Sequence, residues 1–185
     1  METAPFFNLM NPLIMWSIVA LQVASVALLL GLVGVPFFSR LVELVGRRTF
    51  VLSFLVLLAS LIGSLYYSEV AAFPACSLCW WQRVFIYPQI ALFGLALWYK
   101  RRDVLLYTST LSAVGLGFAL YNVYIQSFGA ASVFCEPGSV LSSCLEKYVE
   151  GFGYITIPVM SVTMLAFLLL VAWAGVKSGH FSLTK

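Results

Sequence analysis

Residues 154–176, YITIPVMSVTMLAFLLLVAWAGV, hold no charged side chain. The hydrocarbon core of a bilayer is about 30 Å thick and takes about 20 helical residues to cross, so this run reads as a membrane-spanning helix. Four stretches upstream read the same way: 13–38, 49–69, 80–99 and 104–127. The composition agrees, since 62% of the 185 residues are hydrophobic and 9% are charged, against about a quarter charged in soluble domains. A soluble core of this length cannot hide so much apolar surface, and a disordered chain needs the opposite composition. The strands of a β-barrel would be about 10 residues long and alternate in polarity, which these runs do not. The expected fold class is therefore all-α integral membrane, with five spans.

The charges orient the spans. The net charge of +3 does not signal a nucleic-acid partner, because the basic residues are segregated by topology. Arg40, Arg47 and Arg48 lie between the first two spans, Lys100, Arg101 and Arg102 between the third and fourth, and Lys177 and Lys185 after the last. The positive-inside rule puts these clusters in the cytoplasm, which with five spans gives an outside N-terminus and an inside C-terminus. Residues 1–12 agree, with Glu2 and no Lys or Arg. The stretch 13–38 lacks the basic start and short apolar core of a cleaved signal peptide and is expected to be retained. The cytoplasmic connections are expected to be short, one around Gly46-Arg47-Arg48 and the other only Lys100-Arg101-Arg102-Asp103. Extramembrane chemistry is thereby confined to the external segments 70–79 and 128–153.

All four cysteines fall in those two segments: Cys76 and Cys79 in the first, Cys135 and Cys144 in the second. The outer face is where disulfides persist, and two dithiols on one surface suggest an electron relay. Cys76 and Cys79 are spaced i, i+3 at the entry to a helix, whose positive end favours a thiolate by about 0.3–1 kcal/mol. Arg83 follows Cys79 at i+4 on the same face, a second cause of thiolate stabilisation. A cation inside a span needs snorkelling or an acceptor, and a quinone oxygen would serve. The plainer readings are a static disulfide, an interfacial anchor for Arg83, and an aromatic belt for Trp80 and Trp81. Zinc is disfavoured, because Cys135 and Cys144 are spaced too widely for the usual second ligand pair. The single histidine, His180, lies in the tail, so a Cys-His hydrolase is not indicated. No Asp or Glu occupies the interior of a span, which argues against a proton-coupled transporter.

The run Cys76-Ser77-Leu78-Cys79-Trp80-Trp81-Gln82-Arg83, followed by Tyr87-Pro88, resembles the signature of the DsbB/BdbC disulfide-bond formation proteins, and its Trp-x-Gln-Arg form resembles the BdbC branch. Cys135 and Cys144, followed by Gly153-Tyr154-Ile155-Thr156-Ile157-Pro158, resemble that family's second cysteine pair and the start of its last helix. The likeness covers about residues 50–175. In the related vitamin K epoxide reductases the Cys-x-x-Cys follows the loop cysteines, whereas here it precedes them.

The resemblance implies a four-helix transmembrane bundle of the DsbB type, residues 46–177, with an extra N-terminal transmembrane helix and its connection at 1–45 and a cytoplasmic tail at 178–185. It implies a thiol:quinone oxidoreductase of the bacterial plasma membrane, with its cysteines on the extracytoplasmic face. Such an enzyme reoxidises a DsbA/BdbD-like thioredoxin-fold partner and passes the electrons to ubiquinone or menaquinone. Cys135 would form the mixed disulfide with the partner and Cys144 would resolve it. Cys76 and Cys79 would be the quinone-proximal pair, with Cys79 touching quinone and Arg83 polarising it.

Two features depart from the family pattern. The helix at 13–38 has no counterpart in it and is expected to pack laterally. Asn122 stands where many members carry His; it can donate a hydrogen bond but cannot titrate. The segment Leu145–Val149 reads equally as a short interfacial helix or an ordinary loop. Two other functions use the same residues: a structural membrane protein stapled by static disulfides, and a quinone reductase of the vitamin K epoxide reductase kind fed by a thiol donor.

Overall fold

The computed structural model describes residues 4–99, 103–129 and 146–179. Within them the regular structure is helical apart from one isolated bridge pair, Gly151 with Ile155. The helices are α1 (Ala4–Val33), α2 (Ser39–Arg47), α3 (Thr49–Leu65), α4 (Ser77–Tyr99), α5 (Val104–Phe128) and α6 (Ile157–Lys177). A wide π-helical turn, Tyr66–Val70, extends α3.

Helices α3, α4, α5 and α6 pack in sequence and α6 returns to α3, closing a four-helix ring. The reason is plainest on α5. Its buried residues, Leu105, Thr108, Ser112, Gly115, Ala119, Asn122 and Ile125, recur every three or four positions and so line one face. Most are small, which lets neighbouring backbones approach where lipid supplies no hydrophobic drive between helices. A Cβ on Gly115 would lie 3.2 Å from Phe85 Cβ of α4 and 3.5 Å from Leu165 Cδ1 of α6. Around that line Leu57, Ile86, Phe93, Met164, Leu165 and Leu168 form the core of the ring.

Among the described residues four helical stretches are long and apolar enough to cross a membrane: Met10–Val33, Thr49–Val70, Val104–Phe128 and Ile157–Lys177. The remaining expected span, α4, has the length at 23 residues but carries Gln82, Arg83 and Gln89 and falls outside that set. Gln82 and Gln89 are buried within the ring. Ser112 Oγ on α5 donates to Gln89 Oε1 at 3.0 Å, a polar tie between the two helices.

The first helix differs from the expected 13–38. It runs from Ala4 to Val33 and stops at Gly34, whose φ of 112° lies where L side chains are strained, just before Pro36. The short connection expected around Gly46-Arg47-Arg48 contains an amphipathic helix, α2, with Val42 and Val45 buried and Arg40, Glu43 and Arg47 exposed. Gly46 seats α2 on α6: a Cβ there would lie 2.1 Å from Ser178 Oγ and 2.9 Å from the Ala174 carbonyl oxygen.

Helix α1 lies against α6, outside the ring. Polar ties hold it at Asn11, Gln22 and Leu32. Tyr67 Oη donates to Asn11 Oδ1 at 3.0 Å, Gln22 Nε2 to Thr163 Oγ1 at 3.2 Å, Tyr154 Oη to Gln22 Oε1 at 2.7 Å, and Lys177 Nζ to the Leu32 carbonyl. Residues 146–150 have no helix, which resolves that part of the 145–149 alternative in favour of a loop. Val149 turns inward, 4% exposed, among Met15, Tyr66, Tyr67, Ile155 and Met160.

Candidate redox site

The site is built where α3 hands over to α4. After the π-helical turn, Ala71 N–H donates to the Tyr66 carbonyl at 2.9 Å and Phe73 N–H to the Tyr67 carbonyl at 3.0 Å. Ala72 adopts φ 54° to make this reversal. The chain then reaches Cys76, immediately before the first helical residue of α4, where the Cys76 carbonyl accepts Trp80 N–H at 3.1 Å. Cys76 thus occupies the N-cap position, and its sulfur accepts Cys79 N–H at 3.4 Å in the way a capping oxygen would.

The two thiols are free and their sulfurs lie 3.0 Å apart, within about an ångström of the length of a disulfide bond. Cys76 is 6% exposed. A hydrogen bond from the Cys79 thiol, opposed by burial and helped by the Cys79 and Leu78 amides and by Asn122, holds Cys76 well below the ordinary thiol value, at about 6. The helix entrance therefore favours a thiolate as the sequence suggests, and it does so at Cys76.

Asn122, fully buried on α5, directs Nδ2 at both sulfurs, 4.0 Å from Cys76 and 3.8 Å from Cys79. Arg83 lies one turn deeper. Its Nε donates to Ser64 Oγ at 3.0 Å and its Nη2 to the Ser64 carbonyl at 3.3 Å, while the guanidinium sits 5.2 Å from the centre of the Trp80 ring. The acceptor that sequence reasoning sought for this cation is thus partly supplied by α3. Tyr87 Oη also lies 3.3 Å from Ser64 Oγ, which makes that serine a hub no motif announces.

These groups open on a cavity of about 320 Å³, lined by Cys76, Cys79, Gln82, Arg83 and Asn122 together with Tyr67, Tyr87 and Tyr148. Two buried atoms in that lining, Gln82 Nε2 and Asn122 Oδ1, have no hydrogen-bond partner among the described residues, one a donor and the other an acceptor. Unsatisfied buried polar atoms are costly. Cys135 and Cys144 lie outside the described residues.

A helical membrane bundle holding a close Cys-x-x-Cys dithiol, Cys76 buried and Cys79 half-buried, beside a cavity defines a membrane dithiol oxidoreductase. Residues 46–176 match the family described as disulfide bond formation protein DsbB, and the chain belongs to that family of membrane disulfide-forming oxidoreductases. It is 38% identical over 115 residues to the SPbeta prophage-derived disulfide bond formation protein B of Bacillus subtilis, covering 62% of this chain and 76% of that protein. A probable disulfide formation protein C 2 of Bacillus cereus is 28% identical over 137 residues, 74% of this chain and 95% of its own length. A probable disulfide formation protein of Coxiella burnetii is 35% identical over 124 residues, covering 65% and 84%. No solved structure matches the chain.

Proposed function

We propose that the protein is a thiol:quinone oxidoreductase that reoxidises a thioredoxin-fold dithiol partner and delivers the electrons to a membrane quinone. The observation that carries this reading is the Cys76/Cys79 dithiol opening on a cavity whose buried Gln82 Nε2 and Asn122 Oδ1 lack partners among the described residues. A quinone carbonyl accepts a hydrogen bond and a quinol hydroxyl donates one, so a ring that cycles between the two matches both orphaned atoms. Arg83 adds a positive charge to the same wall. Ubiquinone and menaquinone both present these groups, so the reading covers either.

Closing the Cys76–Cys79 bond from a thiolate and a thiol releases two electrons and the Cys79 proton; the quinone takes up the electrons, that proton and a second one from water, replacing the one Cys76 lost on ionising, to become quinol. The protein's own part is to keep Cys76 ionised at the helix entrance, to retain the proton on Cys79, and to hold the sulfurs in contact. The reduced pair is regenerated by thiol-disulfide exchange, with Cys135 bonding the partner and Cys144 resolving it before the electrons pass to Cys76 and Cys79. In this reading α4 is the fifth span, its buried glutamines facing the ring. The N-terminus and all four cysteines lie on the extracytoplasmic side of a bacterial plasma membrane, and the C-terminus lies inside.

The test uses purified protein in nanodiscs with a reduced thioredoxin-fold dithiol protein and quinone, following quinone absorbance. Quinone loss matched by disulfide formation in the partner, and abolished by Cys79→Ser with the bundle still folded, is the expected result. Folded protein that turns over neither quinone class with several dithiol partners would refute it.

A further inference from the structure

Helix α1 precedes the matched stretch 46–176, yet it borders the cavity directly. Ser17, Ile18 and Leu21 occupy neighbouring positions on one side of α1 and line the same space as the redox cysteines. Val56, Ala59, Ser60, Gly63 and Ser64 of α3 line it as well, and Leu21 and Val56 pack against one cluster, that of Leu57, Ile86 and Met164. Away from the dithiol the lining is thus mainly apolar, an apolar end bordered by α1 and α3.

The placement is fixed rather than incidental. Asn11 of α1 holds Tyr67, itself a lining residue, and Gln22 is bonded to both Thr163 and Tyr154. Met15 fills the space that a Cβ on Gly151 would take, 2.2 Å from its sulfur. Trp16 meets Phe152 edge-on at 5.3 Å between ring centres. Small shifts of α1 are opposed at each of these points.

We propose that α1 is the outer wall of the redox cavity and sets which quinone tails it accepts, through Ser17, Ile18 and Leu21. The inference rests on the thiol:quinone reading and adds a selectivity element to it. The polar ring must lie against Cys79, Arg83 and Asn122, so a tail leaving the ring through the apolar end runs between α1 and α3. A side chain enlarged there meets the tail and leaves the ring's contacts alone.

The experiment compares two quinones with the same ring, one tailless and one bearing two isoprene units, in steady-state turnover with a reduced dithiol partner. Ile18→Trp is expected to raise KM for the tailed quinone by about tenfold, the size of effect that overpacking a filled cavity produces. KM for the tailless quinone and for the partner stays at the wild-type value. Leu21→Ala, which removes wall instead of filling the slot, raises the tailed KM by a smaller factor and guards against a folding defect in the tryptophan variant. Val23→Trp, on a side of α1 that is 64% exposed at that residue, changes nothing. An unchanged tailed KM in both wall variants, or an equal rise for both quinones or in Val23→Trp, overturns the role of α1 while Cys79→Ser still marks the thiol:quinone reaction as intact. Wild-type protein that reduces neither quinone overturns the underlying reading and this inference with it.

Discussion

Replacing Cys79 by alanine should raise the pKa of Cys76 by an amount the site geometry sets. The largest cause of the low Cys76 value, about 6, is the hydrogen bond from the Cys79 thiol. Hydrogen bonds to charged groups contribute about 1.5–3 kcal/mol, and each pKa unit corresponds to about 1.4 kcal/mol, so losing this one raises the midpoint by about one to two units. The Cys79 and Leu78 amides are backbone groups and survive the substitution, so the midpoint stops at about 7–8, short of the ordinary thiol value. Because Cys76 is depressed, it is thiolate above its midpoint and thiol below. At pH 7 the thiolate fraction should therefore fall from about nine-tenths to between about a half and a tenth. The assay is the ultraviolet absorbance of the thiolate against pH, in reduced protein with Cys135→Ser and Cys144→Ser in both samples. A midpoint near 9 in the intact pair, or one that Cys79→Ala leaves at about 6, would refute the assignment of the thiolate to Cys76.

Further outcomes follow from the same geometry. Asn122→Leu should raise the Cys76 midpoint by only about half a unit in the same titration, because sulfur contacts of 3.8 and 4.0 Å are long and lie at the weak end of hydrogen bonding. Ala72→Gly should stabilise the reduced protein by about 0.5–1 kcal/mol in detergent unfolding, since a φ of 54° costs alanine more than glycine. Gly46→Ala should destabilise it by about 1–3 kcal/mol in the same assay, because the new methyl meets the Ala174 carbonyl oxygen at 2.9 Å and must push α2 off α6.

The positions of α3, α5 and α6 were legible in the sequence because each is an uninterrupted apolar run bounded by charge or turn residues, and their ends fall close to the expected 49–69, 104–127 and 154–176. Helix α2 was missed, although SRLVELVGR carries the signal: Val42 and Val45 share one face and Arg40, Glu43 and Arg47 the other. The charges there draw attention to topology and hide a helical period. At the site, Cys76, Cys79 and Arg83 are local features of one helix entrance and could be read directly. Ser64 could not, because its role depends on how α3 packs beside α4. Gln82 was visible within the motif, but its unpartnered amide nitrogen exists only once the cavity does. The same holds for Ser17, Ile18 and Leu21, whose apolar surroundings look alike on every side of α1 until α6 arrives.

That dependence has a consequence for how the protein is made. Gln22 and its partner Thr163 are 141 residues apart, and at about 5–20 residues per second a ribosome needs about 7–28 s to synthesise the chain between them. Throughout that interval the amide of α1 has no Thr163 to bind, and the Cys76 and Cys79 thiols are already out of the ribosome before the wall that shelters them is complete. A newborn chain is therefore most open to misoxidation by small oxidants in the seconds before its last helix inserts, and pulse-labelling with a thiol reagent during synthesis would find that window.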